Sequence, residues 1–121
     1  MAEPYPKEKQ LARGERRKRR YVASTKEWLA IIESKGRVCR LSEAFAWPNS
    51  GPVEYHHLVP RSMGGDDVAD NIVPLCRNCH KKVTHRAIEQ RRWLAESLSP
   101  AERAYVVGKL GEGALARLFG V

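Results

Sequence analysis

All four histidines of the chain fall between positions 56 and 85, as the pair His56-His57, then His80 and His85. Two of the three cysteines, Cys76 and Cys79, stand as Cys-x-x-Cys directly before His80, and the third is Cys39. Neutral imidazole is a good ligand for divalent metals and a base that works near neutral pH. Cys-x-x-Cys is a spacing that holds zinc. Neighbouring residues on a strand point to opposite faces, so His56 and His57 divide their work. One binds metal and the other moves a proton.

These residues need elements to hold them. Val53 to Leu58 is rich in β-formers and reads as a strand, and Ile72-Val73-Pro74-Leu75 reads as a second one. The stretch from Pro60 to Asp70 is a loop in which Gly64-Gly65 can take positive φ. A helix is expected from about Arg77 to Leu98, with Val83, Ala87, Ile88 and Leu94 toward the core. Its polar face carries Arg77, Lys81, Lys82, Arg86, Arg91 and Arg92. Before the strands, a packing helix is expected over Thr25 to Lys35, capped by Ser24 or Thr25 and stopped at Gly36. Val38 to Leu41 is expected as a short strand or knuckle, and Pro48 to Pro52 as a loop. Ser99-Pro100-Ala101-Glu102 opens a last helix with a capping box, and Gly108, Gly111 and Gly113 divide it into two short pieces.

Read together, Glu54-Tyr55-His56-His57-Leu58-Val59-Pro60-Arg61-Ser62-Met63-Gly64-Gly65, Asp70-Asn71-Ile72-Val73-Pro74-Leu75 and Cys76-Arg77-Asn78-Cys79-His80 closely resemble the HNH endonuclease family. That family's pattern is a His pair or Asp-His, a Gly-Gly loop, an Asn, then Cys-x-x-Cys-His. The resemblance implies an α+β fold, a ββα-metal finger with flanking helices. It also implies a phosphodiester hydrolase that cuts DNA as a nick or a double-strand break, leaving 5′-phosphate and 3′-hydroxyl. His57 matches the general base and His56 the first metal ligand, the place often held by Asp. His80 matches the second ligand, and Asn71 the residue that orients the base across the loop. Arg61 is the candidate phosphate contact beside them. The implied cofactor is one divalent ion: Mg, Mn, Ni or Zn. His85 lies five positions after His80, about 140° around an α-helix. It joins as a third ligand only if that helix is distorted.

Relatives also carry a structural zinc on two Cys-x-x-Cys pairs. Here Cys76 and Cys79 match the second pair, but the first reads Cys39-Arg40-Leu41-Ser42, without its second sulfur. Structural zinc prefers four protein ligands. Ser42 is a poor substitute, Glu43 or a histidine is another candidate, and three buried thiols packing as small apolar groups is the alternative.

Composition agrees with a DNA partner. The 121 residues include 22 Lys and Arg against 14 Asp and Glu, a net charge of +8. Residues 1–20 hold eight basic residues against three acidic ones and read as a flexible basic arm. DNA phosphates would be met by Arg17, Lys18, Arg19 and Arg20 of the arm and by Lys81 and Lys82 of the helix. Every residue from Glu15 to Arg20 is charged, so the arm offers no apolar face to a membrane. An odd cysteine count argues against a disulfide-stapled secreted domain. No signal peptide is read at the N-terminus, and a cytoplasmic location is expected, in a bacterial host cell if the gene is phage-encoded. Residues 21–121 are expected as one HNH domain with core motif 39–85 and C-terminal helices. Small chains of this kind resemble phage nucleases, some of which work with DNA-packaging proteins, while others serve restriction, homing or junction resolution. The functional alternative is a non-catalytic, zinc-finger-like DNA-binding protein. No feature of the chain points to an oligomeric state.

Overall fold

The computed structural model describes residues 20–47, 49, 51–85 and 88–119. Arg17, Lys18 and Arg19 of the expected arm, and Arg86 and Ala87, lie outside the described residues.

Helix α1 spans Thr25–Lys35. The Ser24 hydroxyl accepts from the Glu27 amide, the Glu27 carboxylate accepts from the Ser24 amide, and Gly36 ends the helix at φ 81°. Both expected ends are therefore met. The segment after it differs from expectation: α2 is a helix over Arg40–Phe45 with Cys39 at its N-cap, not a strand. A helical turn instead buries Leu41 completely and lays Phe45, four residues on, against the core.

Strands β1 (Val53–His57) and β2 (Ile72–Cys76) form one antiparallel pair, with His57 opposite Ile72 and Val53 opposite Cys76. Every residue of β2 is buried, since α1, α2 and α3 all pack on it. Between the strands the chain makes two single turns of 3-10 helix, Arg61–Met63 and Ala69–Asn71. Gly64 takes positive φ, 87°, to leave the first of them. Gly65 is there for a different reason: a Cβ on it would stand 1.7 Å from the Val59 carbonyl oxygen.

Cys76 ends β2 and caps α3, Arg77–Thr84, so two strands and a helix follow one another as a ββα unit. The long helix expected from Arg77 to Leu98 is two helices. The first ends at His85, whose amide donates to the Lys81 and Val83 carbonyls, and α4 begins again at Ile88 and runs to Ser97. The break brings α4 against α2, α3 and α6 and buries Leu94, Ala95 and Leu98. Helix α5, Pro100–Leu110, has the expected capping box of Ser99 and Glu102, and Gly111 separates it from α6, Ala114–Phe119. The core gathers Leu41, Val59, Val73, Leu75, Leu94 and Val106 with all three cysteines. No helix among the described residues is long and apolar enough to cross a membrane.

Glu102 ties three helices together from inside. It is 1% exposed. Lys35 of α1 reaches it at 2.5 Å, and both terminal nitrogens of Arg40 of α2 reach it at 2.9 Å. Burial pushes its carboxyl up, but the hydrogen bonds from Arg40, Lys35 and the Ser99 amide more than reverse this and bring it down to about 2. A carboxylate depressed in the folded state stabilises the fold above its unfolded pKa, and that contribution disappears as pH falls through the folded value. Glu102→Gln should therefore cost about 3 kcal/mol at pH 7, because it leaves two cations without their counter-charge. In urea unfolding followed by circular dichroism, the gap between variant and wild type should close between pH 4.5 and 2.

Candidate active site

Period-two alternation sorts β1 into two working faces. Tyr55 and His57 lie toward α1, where Trp28 meets both: its ring is edge-on to Tyr55 and stacked on His57, with centroids 6.0 Å apart and planes 11° apart. Glu54 and His56 lie toward α3. The His56 and His80 rings stand edge to face with centroids 5.1 Å apart.

On the α3 side, Glu54 Oε1 and His80 Nδ1 are 2.8 Å apart. An ionised carboxylate only accepts, so the proton is on Nδ1 and the lone pair of His80 is on Nε2. The other oxygen of Glu54 takes Arg77 at 3.0 Å. Carboxylate to imidazole to metal is the usual order in which an outer partner sets the tautomer of a ligand. Burial, followed by the neighbouring His80 and His57, holds His56 down at about 3, so this ring stays neutral and keeps its lone pair. His56 and His80 together could hold one divalent ion. Among the described residues no carboxylate or thiol joins them as a third close donor.

These residues border an open hollow of about 520 Å³, whose lining also includes His57, Arg61, Met63 and Thr84. Arg61 is exposed on the first 3-10 turn, and Lys81 and Lys82 are exposed on α3. His85 is not brought to the site: it sits exposed past the end of α3, and its predecessor Thr84 lines the hollow instead.

His57 is held from a direction the sequence did not announce. Its Nε2 lies 2.8 Å from Asp67 Oδ1. Asp67 is 6% exposed, and it also pairs with Arg20 and accepts from the Ala23 amide at 3.0 Å. Burial pushes the Asp67 carboxyl up, but His57, the Ala23 amide and Arg20 outweigh it, so the group is a carboxylate. Nε2 of His57 is then the donor, and Nδ1 carries the free lone pair. Burial lowers the His57 pKa, and Asp67 opposes this only in part.

The role expected of Asn71 is therefore met differently. Its side chain is fully buried, and its hydrogen bonds go to backbone. Oδ1 accepts from the Val59 amide at 2.7 Å, and Nδ2 donates to the carbonyls of Val59 and Asp66. Its own carbonyl accepts from Leu58, the residue after His57, at 2.8 Å. Asn71 thus shapes the loop, and Asp67 holds the ring. Arg20 also differs from expectation. Instead of standing ready for DNA, it is spent on Asp67 and on the Gly65 carbonyl, because a buried carboxylate needs a cation close by.

Sequence reasoning missed Asp67, Glu54 and Trp28. Glu54 was within reach, two residues before His56 and so on its face. Asp67 had only a faint signal, an acidic pair following Gly-Gly, and Trp28 had none beyond its size.

The cysteines form a separate cluster. Cys39, Cys76 and Cys79 are buried, and their sulfurs all lie within 4.8 Å of one another. A tetrahedral zinc with Zn–S of about 2.3 Å places its sulfurs about 3.8 Å apart, so the set fits that ion after a small contraction.

Comparison with known proteins agrees with this geometry. Residues 38–86 match the family model described as HNH endonuclease. Among curated proteins, the type IV methyl-directed restriction enzyme EcoKMcrA of Escherichia coli (strain K12) is 39% identical over 61 residues. The match takes in 48% of this chain and 22% of that enzyme, so the chain spans well under two thirds of its relative. No solved structure matches.

Because Asp67 opposes the lowering of the His57 pKa, its removal should lower that pKa further. Asp67→Asn should shift the His57 titration to lower pH, read from the imidazole Cε1–H resonance between pH 4 and 8. An unchanged or raised value would contradict the contact.

Proposed function

With an HNH endonuclease domain at residues 38–86, we propose that this chain is a metal-dependent nuclease that hydrolyses DNA phosphodiester bonds with little sequence preference. The observation that carries the proposal is the pairing of His56 with His80, brought from strand and helix to a centroid distance of 5.1 Å at the edge of an open hollow. A divalent ion bound there supplies Lewis-acid stabilisation of charge growing on the phosphate and the leaving 3′ oxygen. Two imidazoles without a third close carboxylate suit nickel or zinc ahead of magnesium.

In this reading the chain's own groups do the rest. Nδ1 of His57 takes a proton from the attacking water, while Asp67 keeps Nε2–H in place and steadies the imidazolium that results. Arg61, Lys81 and Lys82 offer exposed cations to phosphates and no pattern that reads bases. The products are a 5′-phosphate and a 3′-hydroxyl. The three buried thiols hold a structural zinc that braces the start of α3 against α2. The designation of the Escherichia coli relative favours a restriction role over work with phage packaging proteins.

Supercoiled plasmid incubated with nickel, zinc, manganese or magnesium tests the proposal. Wild type should nick it in a chelator-sensitive way, and His57→Ala should lower the rate by about 10²–10⁴-fold with DNA affinity kept. Cleavage by that variant at the wild-type rate would refute the assignment. Binding of plasmid without any cutting would favour a DNA-binding zinc module.

Glu54→Ala should weaken nickel binding at the histidine pair by about 10–100-fold in calorimetric titration, as loss of an outer partner does elsewhere.

A further inference from the structure

Resting on the reading of the cysteine cluster as a zinc site, we infer that the Ser42 hydroxyl oxygen is the fourth ligand. The centre then has three thiolates and one oxygen.

The inference starts from a deficit. Structural zinc takes four protein ligands in a closed tetrahedron, and the cluster supplies three. Among the described residues no histidine, aspartate, glutamate or further cysteine places a donor atom within the group. Glu43, next to Ser42 in sequence, is exposed. The histidines belong to the other side of the ββα unit or to the exposed end of α3.

Ser42 has the complementary deficit. Its Oγ is buried and, apart from the Cys39 sulfur beside it, has no hydrogen-bond partner among the described residues. A buried polar atom left unsatisfied costs about 1–3 kcal/mol, and such atoms are uncommon in folded proteins. A hydroxyl has two lone pairs, and coordination would satisfy one of them.

The two helix starts are also alike. Cys76 caps α3, and Cys79 follows three residues later with its amide 3.4 Å from the Cys76 sulfur. Cys39 caps α2, and Ser42 follows three residues later in the first turn. Three residues of helix return a side chain to nearly the same face. The same spacing puts Ser42 on the side of α2 that carries Cys39, next to the point where Cys39, Cys76 and Cys79 meet. With a neutral hydroxyl in the fourth position, the bound set carries one net negative charge instead of the two of a four-thiolate centre. It should hold zinc less tightly than such a centre.

The test uses the full chain in a His80→Ala background, so that only the cysteine centre retains metal. Zinc-edge X-ray absorption should show three sulfurs near 2.3 Å and one oxygen near 2.0 Å. Ser42→Cys should convert this to four sulfurs, and the cobalt-substituted protein should gain sulfur-to-cobalt absorption to match. Ser42→Ala should weaken zinc in chelator competition by at least the roughly 10–100-fold that loss of an outer partner causes. Circular dichroism of the zinc-loaded variants checks that each has folded. Unchanged zinc affinity in Ser42→Ala, three sulfurs persisting in Ser42→Cys, or an imidazole signal in the parent would overturn the assignment of Ser42. In each of those cases the zinc site itself stands if Cys76→Ser loses the metal. A parent protein that takes up no zinc with its thiols reduced would overturn both.

Discussion

The hydrogen bonds of the buried Asn71 side chain set the shape on which the rest of the site depends. One amide group engages both polar atoms of Val59 and the carbonyl of Asp66, and the Asn71 backbone accepts from Leu58. The exit from β1 and the far side of the loop are thereby fixed to the entry of β2. This sets the position of Asp67 relative to His57, and with it which imidazole nitrogen is left with a lone pair. The contact is interior, where a lost hydrogen bond costs more than one at the surface. A shorter or apolar side chain would leave three backbone groups unsatisfied at once.

Around that loop, buried and half-buried carboxylates draw separate elements together. Asp66 accepts from Tyr105 at 2.6 Å, from Lys109 of α5 and from the Tyr21 amide. Asp67 gathers Arg20, Ala23 and His57. Glu102 does the same for α1, α2 and α5. Arg20, read from the sequence as part of a DNA-meeting arm, is one of the counter-charges to these carboxylates, and Lys35, Arg40 and Lys109 are others. Arg61, which lines the hollow, and Lys81 and Lys82 on α3 remain exposed.

The ββα unit separates two sets of metal-capable side chains by chain direction alone. Side chains of β1 that alternate toward α3 bring His56 to His80, while the start of α3 meets the start of α2 through cysteines. One locus opens to a hollow and the other is buried. An open locus can admit substrate and exchange ligands, whereas a closed one can only hold the fold.

The local signals of the sequence were reliable where the physics is local. The Ser24 and Ser99 caps, the stops at Gly36 and Gly111 and the two strands could all be read from spacing and residue type, whereas the pairing of His56 with His80 came from the family resemblance. The segment Val38 to Leu41, expected as a short strand or knuckle, opens a helix with Cys39 at its N-cap, because a helical turn there buries Leu41. The single helix from Arg77 to Leu98 failed because core contacts of α4 with α2 and α6 favoured a break. The hydrogen bond of Asp67 to His57 spans ten positions, and the ion pair of Lys35 with Glu102 spans sixty-seven. No periodicity encodes such pairs. The sequence by itself determined which groups could ligate metal or move a proton. Only the folded chain decided which nitrogen of each imidazole is free, which cations are already paired, and that the Ser42 hydroxyl is buried beside the Cys39 thiol, because those outcomes depend on burial and on contacts between segments far apart along the chain.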